Sequence, residues 1–386
     1  MSLPIPGEPA PAFSGRTTDG QTLDRDTLAG GFTTLCLFGS AGHPAMAAML
    51  DRLAARTELF DGESHRLIGV SIDPDDERED RLPGASAGVR MLLDFDQSVS
   101  RAFGALDDAS TDGADNGVAF QPLTVLLDAA MRVLAVHRID DPDDHPVHLC
   151  QFLQGLPSAG PPRPAAPQAP VLLLPMVFET ELCRRLIAHF DTLGGQPSGV
   201  LEDVDGKTAL TFDPGRKQRQ DALIADETLR TAVQIRVRRR LIPEIRKAFQ
   251  FEATRMERSV VTRYAAGDFC GLHRDNAALG TAHRQFAVTI PLNAETCSGG
   301  LLRFPEYGPQ LYPIPTGCAL VHSCSLLHEV TPVREGTRYA FIPVLFNEAA
   351  ARLHEASAAH LAPGVTPDRR EFVTPATGQV GQVRPG

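Results

Sequence analysis

The sequence has no pair of cysteines at CxxC spacing, no tryptophan and no apolar run of bilayer length. Near Met1 it has no basic segment followed by an apolar one. The seven cysteines are odd in number and scattered, which excludes a disulfide framework as the default and favours reduced thiols. The longest strongly apolar stretch, Ala169 to Phe178, contains Pro175. It falls far short of the roughly 20 residues that a membrane-spanning helix needs. With no secretory pattern, a cytoplasmic protein with no membrane partner is expected. The formal net charge is −11, a sign that repels phosphate backbones, so nucleic acid is not the expected partner. The absence of tryptophan excludes nothing.

What is present points to a folded chain of more than one domain. Its 386 residues exceed an average domain, and 42% apolar against 22% charged residues can form a sizeable core. The clearest seam is Gly155 to Pro170, GLPSAGPPRPAAPQAP, rich in Pro and Ala and without periodicity. The expected divisions are a first domain over 1–155, a linker over 156–170, a second domain over 171–347 and a tail over 348–386. No internal repeat is visible.

The first half alternates strand and helix signals. Phe32 to Phe38 reads as a buried strand, and Pro44 to Leu59 has helical spacing. Leu67 to Ile72 and Val89 to Phe95 read as further strands. Leu123 to Leu127 and Val133 to His137 read as a hairpin. This order implies an α/β layered domain. GEPAPAFSGRTTDGQTL, a strand, a loop and a helix, then FQPLTVLLD, resemble the peroxiredoxin group of thioredoxin-fold proteins. The resemblance implies a reactive cysteine at the start of the helix after the first apolar strand, and a cis proline where Pro122 stands. The corresponding loop, Gly39 to Met46, has no cysteine. Cys36 lies within the apolar strand, where a thiol is inert packing, and His43 is read as an ordinary loop residue. The half is therefore expected to be a redoxin-like domain without its peroxidatic cysteine, used for docking, for a homodimer or to cover the second domain's site. The acidic runs Asp73 to Asp80 and Asp140 to His145 lack the spaced ligands and central Gly of a calcium loop and are read as solvated.

The second half opens with a short apolar strand and a helix over Leu172 to Phe190. Asp226 can cap a long helix to about Gln250, whose arginines are read as a solvated face. Strand signals follow at Ser259 to Tyr264, Phe286 to Leu292, Gly300 to Phe304, Cys318 to His322 and Tyr339 to Phe346. Consecutive short strands with turns imply a double-sheet architecture. On it, His273 and Asp275 form an HxD pair. Residues i and i+2 of an extended chain share a face, so imidazole and carboxylate can bind one ion. His328 follows fifty-three residues later. Two His and one carboxylate leave the opposite metal positions open, the arrangement of non-haem Fe(II) oxygenases. Arg338, ten residues beyond His328, is a planar and permanently charged donor that can clamp a carboxylate. Two metal positions would take the keto acid end of a dicarboxylate, Arg338 its far carboxylate, and the last position O2.

HRD, GGLLRF and LLHEVTPVREGTRYAF resemble the iron- and 2-oxoglutarate-dependent dioxygenases, in particular the prolyl 4-hydroxylase-like group, over about Pro170 to Asn347. The resemblance implies a double-stranded β-helix, or jelly roll, with supporting helices. It also implies conversion of 2-oxoglutarate to succinate and CO2 coupled to oxidation of a C–H bond. Carried over, His273, Asp275 and His328 are the metal ligands for Fe(II), and Arg338 anchors the co-substrate. Tyr264 matches a residue that hydrogen-bonds 2-oxoglutarate. Leu301 stands where the related motif often has an acid. A carboxylate at Asp275 disfavours halogenation, which needs that position vacant. His322 is read as packing beside the site and His283 as surface. The expected function is therefore hydroxylation of an amino acid, small molecule or prolyl or other peptidyl group, with Arg216, Lys217 and Arg219 available to hold an anionic substrate or a peptide backbone. Thiol peroxidase activity of the first half, and a non-enzymatic sensor with a vestigial metal site, are the alternatives.

Overall fold

The computed structural model describes residues 3–106, 120–157, 164, 167–357, 360–363, 365 and 371–372. The chain divides into two compact units, residues 1–163 and 164–386. Much of the expected linker and most of the expected tail lie outside the described residues.

The first unit is a thioredoxin-like α/β domain. Its five-stranded sheet runs Val89–Leu93, His65–Ser71, Phe32–Gly39, Leu123–Leu127, Val133–Arg138. The first three strands are parallel and the last two antiparallel. The central strand is covered on both faces, which is why it reads as an unbroken apolar run rather than an alternating one. Leu50, Leu53 and Leu149, on the helices Pro44–Ala54 and His145–Gln154, pack with Cys36 and Phe38 on one face. Phe13, Val99 and Phe103 pack with Leu35 and Leu37 on the other.

Two expectations for this unit fail. No peptide bond among the described residues is cis, so Pro122 is trans. The first acidic run is not wholly solvated. Asp73 caps the short helix Pro74–Arg78, and Asp76 is fully buried. Asp76 accepts hydrogen bonds from the Ala41 N–H at 2.9 Å and the Ser71 hydroxyl at 2.7 Å. It thereby ties down the loop that precedes the helix Pro44–Ala54.

The second unit is a jelly roll of two antiparallel sheets with helices against the larger. The smaller sheet runs Lys217–Gln218, Phe269–His273, His328–Val330, Leu302–Arg303, Leu311–Tyr312. The larger includes, in order, Arg255–Glu257, Val344–Phe346, Phe286–Pro291, Arg338–Phe341, Val260–Tyr264 and Gln220–Leu223. Ala319–Ser323 pairs beside Phe286–Pro291. The expected single strand Tyr339 to Phe346 is two, broken around Pro343, whose missing N–H cannot join a ladder. Leu186, Phe190, Val233 and Ile245 of the helices pack with Val261, Val288 and Phe341 of the larger sheet. The period of two then turns Thr262 and Tyr264 away from the face that carries Val261.

The helix expected from Asp226 to Gln250 begins as read, with the Asp226 carboxylate accepting from the Leu229 N–H. It is then interrupted. Pro243 has no N–H, and one π-type turn, Val237–Leu241, separates the helices Glu227–Arg236 and Ile242–Phe249. Its basic face is only partly solvated. Arg240 is buried, donating to the Val177 carbonyl at 3.0 Å and to Glu179 at 2.7 Å.

Glu257 is another buried charge, 1% exposed. Arg284 Nε lies 2.6 Å from one carboxylate oxygen and His283 Nε2 2.9 Å from the other. Burial alone would raise the Glu257 carboxyl, but these partners hold it down at about 2. Replacing it removes a carboxylate that a buried guanidinium and a buried imidazole both use. Glu257→Leu is expected to cost about 3–5 kcal/mol, read as a lowered urea midpoint. A loss below about 1 kcal/mol would show that the pair contributes little.

Candidate active site

Two cross-strand pairs build the site. In the smaller sheet His273 stands opposite His328. In the larger, Tyr264 stands opposite Arg338. All four side chains line one cavity of about 570 Å³.

The strand Phe269–His273 is irregular. Cys270 pairs with Val330 and His273 with His328, so the two-residue step on one strand meets a three-residue step on the other. A regular strand would send residues i and i+3 to opposite faces; the bulge re-aims His273 onto the face of Cys270. The Cys270 sulfur accordingly lies 3.7 Å from His273 Nδ1. Asp275 sits in the turn just beyond the strand.

The triad is arranged around its carboxylate. His273 Nε2 is 3.6 Å from one Asp275 oxygen, and His328 Nε2 is 3.6 Å from the other. One ligand atom from each residue falls within 4.8 Å of the others. Each imidazole turns Nδ1 to the carbonyl two residues earlier, His273 to Gly271 at 2.8 Å and His328 to Leu326 at 3.0 Å. With Nδ1–H donated there, both Nε2 atoms face Asp275. That is the outer hydrogen bonding that orients metal-ligating histidines.

The electrostatics ask for a cation at the same point. Burial works against the Asp275 charge, yet the facing imidazoles hold its carboxyl well below the ordinary range. Burial also lowers His273, but Asp275 and Cys270 raise it to about 10. Burial and His322 take His328 down to about 3. One imidazolium, one carboxylate and one neutral imidazole thus share the site. A divalent ion would replace that proton. The nitrogen and oxygen donors, on one side of the ion and open to a cavity, fit Fe(II).

Tyr264 is 1% exposed, and its ring lies 5.2 Å from the Arg338 guanidinium carbon. Its hydroxyl accepts from Arg219 NH1 at 3.0 Å. Arg338 is 6% exposed and has no carboxylate partner among the described residues. A desolvated guanidinium without an acid, facing a cavity, is a site for an anion from outside. Gly300 makes room for it. Its φ is +62°, and a Cβ there would lie 2.6 Å from Arg338 Cδ. This assigns a steric role to the second glycine of GGLLRF, which spacing alone does not reveal.

His322 is buried beside the triad, its ring centroid 4.4 Å from that of His328. His283 is not on the surface. It is 2% exposed and forms, with Glu257 and His354, a second group whose donor atoms lie within 4.8 Å of each other. Arg284 already neutralises that carboxylate, so this group reads as packing. The stretch Gly206 to Asp221 is not one polar loop. Lys207–Thr211 forms a hairpin with Val200–Val204, and Lys217–Gln218 edges the smaller sheet. Arg216 is exposed and paired with Glu202. Arg258, absent from the sequence reading, also lines the cavity. In the first unit, Cys36 is fully buried and burial pushes its thiol up to about 12; Cys150 is buried and raised as well. Neither thiol is poised for nucleophilic attack.

Residues 6–136 match the AhpC/TSA family, and residues 259–343 match the 2OG-Fe(II) oxygenase superfamily. A PKHD-type hydroxylase of a Synechococcus species (strain JA-2-3B'a(2-13)) is 34% identical over 89 residues, covering 22% of this chain and 40% of that protein. Another, from Phenylobacterium zucineum, is 33% identical over 101 residues, covering 23% and 44%. The chain therefore spans about two fifths of the length of these relatives. Among solved structures, a bacterioferritin comigratory protein of Xanthomonas campestris is similar with a TM-score of 0.33 at 18% identity, covering 37% of this chain and 90% of that one. A 2OG-Fe(II) oxygenase family oxidoreductase of Burkholderia pseudomallei gives a TM-score of 0.34 at 20% identity, covering 46% and 84%.

Gly300→Ala tests the arginine pocket. The added methyl must displace the Arg338 stem, so affinity for 2-oxoglutarate is expected to fall about tenfold or more while Mn(II) affinity holds. Calorimetric titration of each ligand reads both. Unchanged 2-oxoglutarate affinity would show that the close approach does not position Arg338.

Proposed function

We propose that this chain, an AhpC/TSA redoxin domain followed by a 2OG-Fe(II) oxygenase domain, hydroxylates a C–H bond using Fe(II), 2-oxoglutarate and O2. The observation that carries the reading is the pairing, in one cavity, of a His–Asp–His donor set with a buried arginine that has no carboxylate partner among the described residues.

His273, Asp275 and His328 would hold the iron from one side. When bound, the metal supplies O2 activation, with 2-oxoglutarate going to succinate and CO2 and one oxygen atom going to the substrate as a hydroxyl group. The chain's own residues supply position and charge. Arg338 clamps the far carboxylate of 2-oxoglutarate through two parallel N–H bonds, and the Tyr264 ring supports its guanidinium from one side. The Gly271 and Leu326 carbonyls keep both imidazoles in the tautomer that presents Nε2. Leu302 and Val330 give the cavity an apolar lining beside the ligands, where charge interactions are stronger than in water.

The redoxin domain is read as non-peroxidatic. A thiol peroxidase needs an accessible thiolate at a helix start, and the loop before Pro44–Ala54 carries none. The sensor reading loses ground because a drifting site has no reason to keep both the triad and a separate uncompensated arginine.

Three variants test the assignment. His273→Ala and Asp275→Ala are expected to abolish iron binding and succinate release. Arg338→Ala is expected to retain iron and weaken 2-oxoglutarate by about 100-fold, or about 3 kcal/mol. Calorimetry with Mn(II) in place of iron, together with succinate assays, reads all three. Wild-type 2-oxoglutarate affinity in Arg338→Ala would refute the clamp.

A further inference from the structure

Beyond Arg338, the cavity wall carries three more cations whose charge the fold does not balance. Lys217 and Arg219 lie along the edge of the segment after the hairpin, and Arg258 follows the strand Arg255–Glu257. All three line the cavity. Arg219 and Arg258 share one carboxylate, Asp221. Arg219 Nε lies 3.0 Å from one Asp221 oxygen, while Arg258 NH2 is 3.2 Å from the other. Asp221 also accepts from the Ser198 hydroxyl at 2.7 Å. Among the described residues no acid pairs with Lys217 Nζ, which donates to the Gly199 carbonyl at 2.5 Å. Among the described residues, one carboxylate thus serves two guanidiniums, and the amine of Lys217 is left on a backbone carbonyl.

This imbalance is a built feature. The Arg219 side chain is 8% exposed, and those of Arg258 and Asp221 are 17% exposed. Arg258 occupies a left-handed backbone conformation at φ +61°, which a bulky residue adopts only where its surroundings hold it. Burial, with Arg219 and Arg258 alongside, pushes the Lys217 ammonium down to about 7. Like charges gathered in low dielectric repel, and an incoming anion relieves the repulsion.

The place of the cluster is as informative as its charge. Lys217 pairs with Cys270 in the smaller sheet, and Cys270 touches His273. Arg219 hydrogen-bonds Tyr264, whose ring stacks on Arg338. The cations therefore extend the wall from the co-substrate's arginine toward the metal ligands. The co-substrate's two charged ends are already provided for, one by the metal and one by Arg338.

Resting on the oxygenase reading, we propose that the substrate is a small molecule with an anionic group, a carboxylate or a phosphate, held by Lys217, Arg219 and Arg258 at the same time as 2-oxoglutarate. The anion would replace the Lys217–Gly199 bond with a charge-assisted one and complete the balance around Asp221. Its fixed point beside the triad would set which C–H bond lies nearest the iron.

The test uses the full chain loaded with Mn(II) and saturated with 2-oxoglutarate, so that Arg338 is occupied. Inorganic phosphate and acetate are titrated separately, at ionic strength held constant with chloride. Saturable binding of at least one is expected, and which one binds distinguishes a phosphorylated from a carboxylated substrate. Lys217→Met and Arg258→Gln are each expected to weaken that anion about tenfold or more and to leave 2-oxoglutarate affinity within about twofold. Circular dichroism checks that both variants fold. Arg258→Gln carries the test alone if Lys217→Met does not fold. No saturable anion, loss of anion binding on adding 2-oxoglutarate, or wild-type affinity in a folded variant would each overturn the proposal. Failure of the oxygenase reading is separate. It would appear as no Mn(II)-dependent binding of 2-oxoglutarate in the wild-type chain, while the phosphate and acetate titrations can still be read.

Discussion

The register of two antiparallel strand pairs is the constraint on which the site depends. Directly opposed residues in such a pair have Cβ atoms about 4.5–5.5 Å apart, close enough for two imidazoles to meet one carboxylate. His273 against His328 meets that condition on the smaller sheet, and Tyr264 against Arg338 on the larger. A slip of one residue in either ladder would turn the pair to the opposite face. The helices matter to the chemistry in this way. By packing Leu186, Val233 and Ile245 against Val261 and Phe341, they commit one face of the larger sheet to the core and leave the other for Tyr264 and Arg338.

Much of this was legible in the sequence because the chemistry leaves few residue types to choose from. An HxD pair, a later His and an Arg ten residues beyond are separated along the chain, yet the structure gathers them around one cavity. Two-sheet architecture was legible from short strands and turns, and the thioredoxin-like half from alternating strands and helices. What was not legible depends on tertiary register. Gly271 in FCGLHRD is a residue type that often marks a bulge, but it does not give the register, and without the register the distance from Cys270 to His273 cannot be foreseen. The hairpin Val200–Thr211 lacks a strong apolar alternation, and of its strand residues only Thr208 is buried. His283 looked like surface because it precedes a strand amid polar residues. Its burial comes from Glu257 and His354, which are distant in sequence. The helix reaches Phe249, close to the end its periodicity implied, but the pattern does not announce the π-type turn Val237–Leu241 that shifts its register ahead of Pro243.

The two units treat buried polar groups differently. In the first, Asp76 spends its acceptors on a backbone N–H and a hydroxyl, and Cys36 is neutral packing. Nothing there is left charged and unmatched at the helix start where a redoxin would hold its thiolate. In the second, charges are buried in quantity. Glu257 with Arg284 is a buried pair, and buried Arg240 reaches the exposed carboxylate of Glu179, which also takes Arg236. Arg338 and the Lys217 cluster are the exceptions, and they face the cavity that the triad also faces. Desolvating a charge is tolerated where something is to bind it; elsewhere the fold supplies a partner.

The distribution of charge also limits what composition can say. A net charge of −11 describes the chain as a whole, and many of its acids lie in exposed stretches such as Asp140 to Asp144. The cavity wall carries an excess of the opposite sign, with seven Lys and Arg residues against Glu202, Asp203 and Asp275 among its described lining residues. Clefts with an excess of one sign of charge focus field lines and raise the local concentration of the counter-ion, whatever the average outside. The average therefore disfavours long polyanions, which must lie along an open surface. It does not disfavour small ones that can enter a volume of about 570 Å³. The dicarboxylate proposed as co-substrate is such an anion. The same wall, with cations to spare after Arg338 is taken, extends the argument from the co-substrate to the molecule that shares the cavity with it.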